Sequence, residues 1–351
     1  MEASVLLDWY DENARVLPWR APPGAPPPEP YRVWLSEVML QQTTAAAVGP
    51  YFEKFLRLWP TVEALAAAED AEVMAAWAGL GYYARARNLL ACARAVAARG
   101  GKFPGSENEL RLLPGLGAYT AAAVAAIAFG ERAVVVDANV ERVVARLFAI
   151  GDPLPGGRTA IREAADRITP DKRAGDFAQA MMDLGAMICT PRNPRCLLCP
   201  LSHACKSRRQ GDPEPYPVKA AKKAKRERQG RAWWIEREGA VWLVRRPSKG
   251  MLGGMRALPD DGWNARMDGS GQAPLAGEWH AGGVVRHVFT HFALDLHLAL
   301  YSGGDWARLE QISGESGGEW WPLARIEQAG LPTLFAKAAR LAMAQRGDVE
   351  G

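Results

Sequence analysis

The spacing of apolar residues changes along this chain. Through roughly the first two hundred residues they recur every three to four positions, the period of an amphipathic helix; toward the C-terminus they alternate, as in half-buried strands. Val5 to Val16 has helical spacing, with Val5, Leu6, Trp9 and Val16 near one face, and Leu17-Pro18-Trp19-Arg20 ends it. Ala21 to Pro30, APPGAPPPEP, reads as a Pro-rich surface loop. Tyr31 to Thr44 is helical by composition. Tyr51 to Gly101 is Ala-rich and helical, broken at Pro60 and at Gly79-Leu80-Gly81. Ala118 to Phe129 is an apolar helix stopped by Gly130. Ala138 to Phe148 carries the stripe Val140, Val143, Val144 and Leu147, and Phe177 to Cys189 is a further apolar helix. Beyond residue 230, Arg231 to Arg246 predicts a β-hairpin turning at Gly239. Phe292, Leu294, Leu296, Leu298 and Leu300 alternate with Asp295 and His297 among their neighbours, a half-buried strand, and Leu331 to Gln345 predicts a closing helix.

The expected fold class is therefore a mostly α N-terminal region followed by a small α+β domain. Boundaries are expected at 1–208 for the helical region, 209–230 for a linker and 231–351 for the second domain. The stretch Lys206 to Arg231 holds ten Lys or Arg against three acidic residues, with Pro213, Pro215 and Pro217. That composition predicts a solvated connector, whose charge also favours DNA through counterion release.

Composition narrows the class. A chain of 351 residues exceeds one typical domain, and a net charge of +4 permits nucleic-acid binding without requiring it. No uncharged apolar run approaches the ~18 residues of a membrane span. The acidic, amphipathic start MEASVLLDWYDENARV lacks the basic, apolar character of a signal peptide, so a cytoplasmic location is expected. Five cysteines in such a compartment argue against disulfides; Cys92, alone in an Ala-rich segment, reads as core.

Four stretches carry candidate chemistry. In Leu113-Pro114-Gly115-Leu116-Gly117 a Gly-rich turn meets the N-terminus of an apolar helix, whose unpaired N–H groups suit a phosphate. Downstream, Asp137 is placed as the N-cap of Ala138 to Phe148, where N–H donors and the helix dipole favour the anion. Glu37 has apolar neighbours Trp34, Leu35, Val38, Met39 and Leu40. It is either an edge residue facing water or a buried acid whose pKa burial raises. Two carboxylates in diverging environments are a way to run acid and anion chemistry in one site. The run Gln41 to Thr44 predicts a polar ligand at the helix end. Gly81-Tyr82-Tyr83-Ala84-Arg85-Ala86-Arg87 places aromatics and arginines after a Gly turn, a composition shared by nucleic-acid surfaces and ordinary helix faces. Finally, Cys189, Cys196, Cys199 and Cys205 lie within 17 residues. Only one close Cys-x2-Cys pair is present, so all-Cys ligation of an iron–sulfur cluster fits better than zinc, with a Cys3His zinc site through His203 as the alternative.

Trp34-Leu-Ser-Glu-Val-Met-Leu-Gln-Gln-Thr43, Leu80-Gly-Tyr-Tyr-Ala-Arg-Ala-Arg87, the Gly115/Gly117 hairpin, Asp137 and the Cys-x6-Cys-x2-Cys-x5-Cys spacing resemble the MutY-type adenine DNA glycosylases of the helix-hairpin-helix superfamily, over essentially the whole chain. The resemblance implies a six-helix barrel with a [4Fe-4S] cluster loop, and a Nudix-like C-terminal domain. It implies removal of adenine from double-stranded DNA where adenine is mispaired with 8-oxoguanine or guanine, by base flipping, in a protein that acts as a monomer. It assigns Glu37 as the general acid, Asp137 as the anion beside the sugar, Asn139 as the residue that orients this site, and Tyr119 as a tyrosine near the sugar. Arg15, Trp19, Leu40 and Gln179 fall on adenine-pocket positions. Gln42, Thr43, Leu80, Gly81 and Tyr82 fall on the wedge and 8-oxoguanine contacts, and Phe289-Thr290-His291 on the loop that reads 8-oxoguanine, with Thr where the family has Ser. Endonuclease III-like relatives carry a Schiff-base Lys at the position of Tyr119; without that amine, strand cleavage has no nucleophile. The stretch after Pro259, DDGWNARMDGSG, lacks the Glu-rich metal helix of a Nudix hydrolase, so the domain is expected to read bases.

Overall fold

The structure is a computed structural model that describes residues 2–220, 225–247, 250–289, 291–304 and 318–347. Two compact units make up the chain, Met1–Ala221 and Lys222–Gly351.

The first unit is helical among its described residues. Its elements are α1 (Glu2–Asn13), α2 (Pro30–Leu40), α3 (Ala45–Leu58), α4 (Val62–Ala66), α5 (Asp70–Trp77), α6 (Ala84–Ala97), α7 (Glu107–Leu110), α8 (Ala118–Phe129), α9 (Ala138–Phe148), α10 (Arg158–Ile168), α11 (Ala174–Met187) and α12 (Lys206–Arg209). The starts follow local capping. Thr44, Thr61, Ser106 and Asp137 each accept an N–H from three residues on. Helix α8 is apolar on every side, and Thr120 through Ile127 are buried. A helix of that kind belongs in the middle of a core, and α8 packs between α2, α7 and α11. Close approach there needs small residues: a Cβ on Gly175 of α11 would stand 2.5 Å from the Ala126 carbonyl oxygen of α8.

Two expectations need correction. Helix α1 ends at Asn13, so its buried stripe is Leu6, Leu7 and Tyr10, while Val5 is exposed and Val16 fully so. The expected face overran the helix end. Likewise α2 stops at Leu40. Gln42 takes φ +58, and Thr44 caps α3.

The charged stretch after α12 is also more ordered than its composition predicts. The carbonyl of Tyr216 accepts from Arg146 Nε (3.1 Å), that of Val218 from Leu154 N–H (2.9 Å), and Glu214 Oε1 from Asn193 N–H (2.7 Å). Outside any sheet, a proline-containing segment leaves carbonyls free to accept from a buried guanidinium.

The second unit is α+β. A three-stranded sheet has the order β1 (Arg226–Trp234), β6 (Phe292–Gly304), β5 (Gly277–Val288). Strand β1 runs parallel to β6, from Arg226 opposite Phe292 to Trp234 opposite Leu300, and β5 runs antiparallel with bulges. A second sheet joins β2 (Glu236–Arg237), β3 (Ala240–Arg245), β4 (Arg256–Ala257) and β7 (Glu319–Pro322). The β2–β3 hairpin turns through Glu238 and Gly239, both at positive φ, which is the two-residue turn that matches strand twist. The alternation expected in β6 is present: Phe292, Leu294, Leu296 and Leu298 are buried, and Leu334, Phe335, Ala338, Ala339 and Ala342 of the closing helix α13 (Thr333–Gly347) share their cluster. Each such Leu or Phe side chain contributes about 1.5–3 kcal/mol on burial. Residues 261–276 contain no helix.

Candidate active site and cluster loop

Glu37 lies in the middle of α2 and is buried with Trp34, Leu35, Val38 and Met39 around it. Its carboxylate accepts a hydrogen bond from Tyr119 Oη on α8, 2.6 Å from Oε2. Burial raises its pKa to about 7; the Tyr119 bond and the positive charge of Arg20 oppose the shift, and nearby Asp137 adds to it. Burial and the same two carboxylates raise the Tyr119 phenol well above its usual range, so it stays a donor.

Asp137 precedes α9 and is held at both oxygens. Oδ1 accepts from Val140 N–H at 2.7 Å and Oδ2 from Asn139 Nδ2 at 2.9 Å. Arg142, one turn along α9, donates to Asn139 Oδ1 (2.9 Å), to the Gly185 carbonyl (2.7 Å) and to the Cys189 carbonyl (2.7 Å). A chain of polar contacts thus runs from Asp137 to the first cysteine of the cluster loop.

The hairpin Leu113–Gly117 leads into α8. Gly115 has φ +76, and a Cβ there would sit 2.6 Å from Asn88 Cβ; Gly117, the N-cap, has φ −78 and open space where a Cβ would stand. Only Gly115 uses the conformational freedom of glycine. Gly117 leaves the first-turn N–H groups of α8 without a side-chain cap, and Gly117, Ala118, Tyr119 and Thr120 line a cavity.

That cavity has a volume of about 1170 Å³. It is larger than the ~300–1,000 Å³ of small-molecule sites. Arg15, Trp19, Glu37, Leu40, Gln42, Thr43, Gly115, Gly117, Tyr119, Asp137, Asn139 and Gln179 all line it. The carboxylates Glu37 and Asp137 therefore line one cavity. Leu80, Gly81 and Tyr82 lie on the loop between α5 and α6; Leu80 is buried, and Tyr82 is exposed with φ +49. Phe289 stacks on Phe292 at 4.7 Å, and His291 is exposed beside it in the second unit; Thr290 lies outside the described residues.

Sequence reasoning missed the groups that support these. Asp183 on α11 is fully buried and accepts from Arg15 Nε (2.6 Å) and Arg20 Nη1 (2.7 Å), which orients both arginines of the cavity wall. A lone acid in the apolar run FAQAMMDLGAMIC was the available signal. Gln41 Nε2 donates to Thr120 Oγ1 at 3.0 Å. Arg85, for which the sequence left a nucleic-acid surface and an ordinary helix face open, is buried. It donates to the carbonyls of Val38, Met39 and Leu80 and to Thr43 Oγ1, and stacks over Trp77 and Tyr82. It ties the end of α2 to the 79–83 loop.

Cys189 follows α11, Cys196 and Cys199 flank a short turn, and Cys205 precedes α12; all are half-buried thiols. Among the described residues no three His, Cys, Asp or Glu side chains converge as around one metal ion. Four thiols in one loop suit a four-iron cluster, which takes one thiolate per iron. Arg146 donates to Cys189 Sγ at 3.4 Å, an electropositive setting that suits thiolate ligands. Arg192 and Arg195 of the loop are exposed.

Comparison with known proteins agrees with this geometry. Residues 35–168 match the HhH-GPD superfamily of base excision DNA repair proteins, residues 189–205 the iron-sulfur binding domain of endonuclease III, and residues 231–341 the NUDIX domain. The chain is 34% identical to the adenine DNA glycosylase of Homo sapiens over 97% of its own length and 74% of that protein. It is 33% identical to that of Rattus norvegicus, over 96% and 77%. A solved thermostable thymine-DNA glycosylase superposes with a TM-score of 0.52 at 31% identity, over 59% of this chain and 95% of that one. No helix of the described residues is long and apolar enough to cross a membrane. The chain belongs to the adenine DNA glycosylase family: a base-excision repair hydrolase acting on DNA, built from a helix-hairpin-helix unit with a [4Fe-4S] cluster loop and a Nudix-like unit.

Proposed function

We propose that the protein removes adenine mispaired with 8-oxoguanine or guanine, flipping the base out of the duplex and acting as a monomeric, monofunctional glycosylase of the cytoplasm. The observation that carries this reading is the pairing of a buried, Tyr119-bonded Glu37 with a doubly anchored Asp137 in one cavity. Backbone N–H groups at the α8 N-terminus bind a DNA phosphate, and Gln42, Thr43, Leu80, Gly81 and Tyr82 hold the opened duplex. The flipped adenine enters between Arg15, Trp19, Leu40 and Gln179; extrusion costs a few kcal/mol, least at a mispair. Glu37, which titrates near neutrality, protonates the adenine ring and makes it a leaving group. Asp137 stands by the sugar as positive charge develops, fixed by Asn139 and Val140 so that no reorganisation is needed. Tyr119 replaces the amine a lyase requires, so no covalent imine with the sugar forms. The [4Fe-4S] cluster, when bound by Cys189, Cys196, Cys199 and Cys205, supplies a one-electron redox centre and cross-links the loop; the hydrolysis rests on the side chains above. In the second unit, Phe289, Thr290 and His291 read 8-oxoguanine.

The test is single-turnover base release from defined duplexes. Adenine should leave opposite 8-oxoguanine and guanine, and Asp137→Asn should lower the rate by about 10³-fold or more, as loss of a preorganised transition-state contact does. A fully active Asp137→Asn, or a borohydride-trapped covalent adduct formed by the wild type, would overturn the reading.

A further inference from the structure

Arg146 on α9 is 1% exposed, yet it carries a full positive charge. Its donors go to three carbonyls, of Thr190 (2.6 Å), Pro191 (2.9 Å) and Tyr216 (3.1 Å), and to Cys189 Sγ (3.4 Å). Among the described residues no carboxylate pairs with it. Arg142, a second guanidinium one turn away, bonds the Cys189 carbonyl. Two cations side by side and a buried charge without a counter-ion are unfavourable unless an anion lies within reach. Carbonyl dipoles satisfy the donors but do not cancel the charge. The anion that the loop supplies is the set of cysteine thiolates on its cluster.

We propose that Arg146 is the built-in counter-cation of the cluster, and that the same guanidinium straps residues 213–219 onto the cluster loop, so that holding the cluster and docking the strap are one event. The four acceptors divide that way: Cys189, Thr190 and Pro191 belong to the loop, and Tyr216 to the strap. Two further contacts close the strap, Asn193 N–H to Glu214 and Leu154 N–H to Val218. With the cluster bound, the guanidinium is neutralised and stays in place. With it lost, an isolated cation is left inside and leaves for water, and the strap goes with it. The cation also favours the more negative, reduced state of the cluster, because hydrogen bonds and charge near the sulfurs set its potential.

The full chain loaded with its cluster tests this, with loading followed by visible absorption and iron content. The midpoint potential is read by voltammetry, the electrode exchanging the electron, and strap protection by hydrogen exchange. Arg146→Met keeps most of the volume without the charge; Arg146→Lys keeps the charge without the fork. Loaded Arg146→Met should have a lower potential, by about tenfold in the one-electron equilibrium or about 59 mV, and exchange across 213–219 should be about tenfold faster. Arg146→Lys should keep a potential close to wild type and still loosen the strap. Loading of Arg146→Lys but not of Arg146→Met would establish the need for charge directly. Loaded Arg146→Met with wild-type potential and protection would overturn the proposal, as would equal loss of the cluster from both variants.

Discussion

Glu37 is a residue the fold would be more stable without. Its carboxyl has an ordinary value of 4.5 and is raised to about 7 in the folded protein. Between those values the folded state holds a proton that the unfolded state has released, so stability falls as pH rises through the window, by about 3 kcal/mol in all. Below about 4.5 both states are protonated and the penalty is absent. Glu37→Gln should therefore unfold at higher temperature than wild type at pH 8 and at nearly the same temperature at pH 4, while base release is almost abolished. Calorimetry at the two pH values checks the first part. A wild-type rate that stays flat from pH 6 to 9 would count against Glu37 as the acid. The residue was legible in sequence because its apolar neighbours are adjacent on one helix. Arg85, Arg142 and Arg146 were not: most of their acceptors lie more than forty positions away, and an Arg among apolar residues looks the same whether it faces a phosphate or a carbonyl.

On the proposed function, the hairpin and α8 form the element on which docking and chemistry meet. Gly115 and Gly117 look equivalent as letters and differ physically. At Gly115, positive φ and Asn88 together oppose a methyl group, so Gly115→Ala should lower the melting temperature as well as DNA affinity. At Gly117 nothing opposes it in the free protein, so Gly117→Ala should melt as wild type does and bind DNA about tenfold more weakly, because the methyl stands where the phosphate approaches. Equal melting temperatures for the two variants would contradict this difference. Helix positions and the Asp137 cap were readable because capping acts over three residues. The end of α1 and the order of 213–219 were not, since a helix end and a carbonyl acceptor depend on what packs beside them.

For the molecule as a whole, every residue lining the cavity comes from the first unit. Changes in the second unit should then alter which mispairs are chosen and leave the bond-breaking step intact. His291→Ala in the full chain is expected to keep the rate on adenine opposite guanine and to lose about tenfold of the preference for 8-oxoguanine, the worth of about one hydrogen bond to a base; paired single-turnover assays on the two duplexes measure it. A similar loss on both duplexes would place His291 in general DNA binding instead. The alternation of β6 announced its buried face, but its parallel pairing with β1, some seventy residues away, left no mark in either strand.

Helix α8 also acts as a ruler. The uncapped N–H groups proposed above to bind a DNA phosphate begin at the Gly117 cap, and Tyr119, whose hydroxyl bonds Glu37, follows two residues later on the same turn. Covalent geometry alone then fixes the spacing between the anchored phosphate and the proton. On this reading, a nucleotide seated one position out of register is bound but presents its glycosidic bond to the wrong place, so fidelity of position is enforced by the length of a helical turn and needs no moving part.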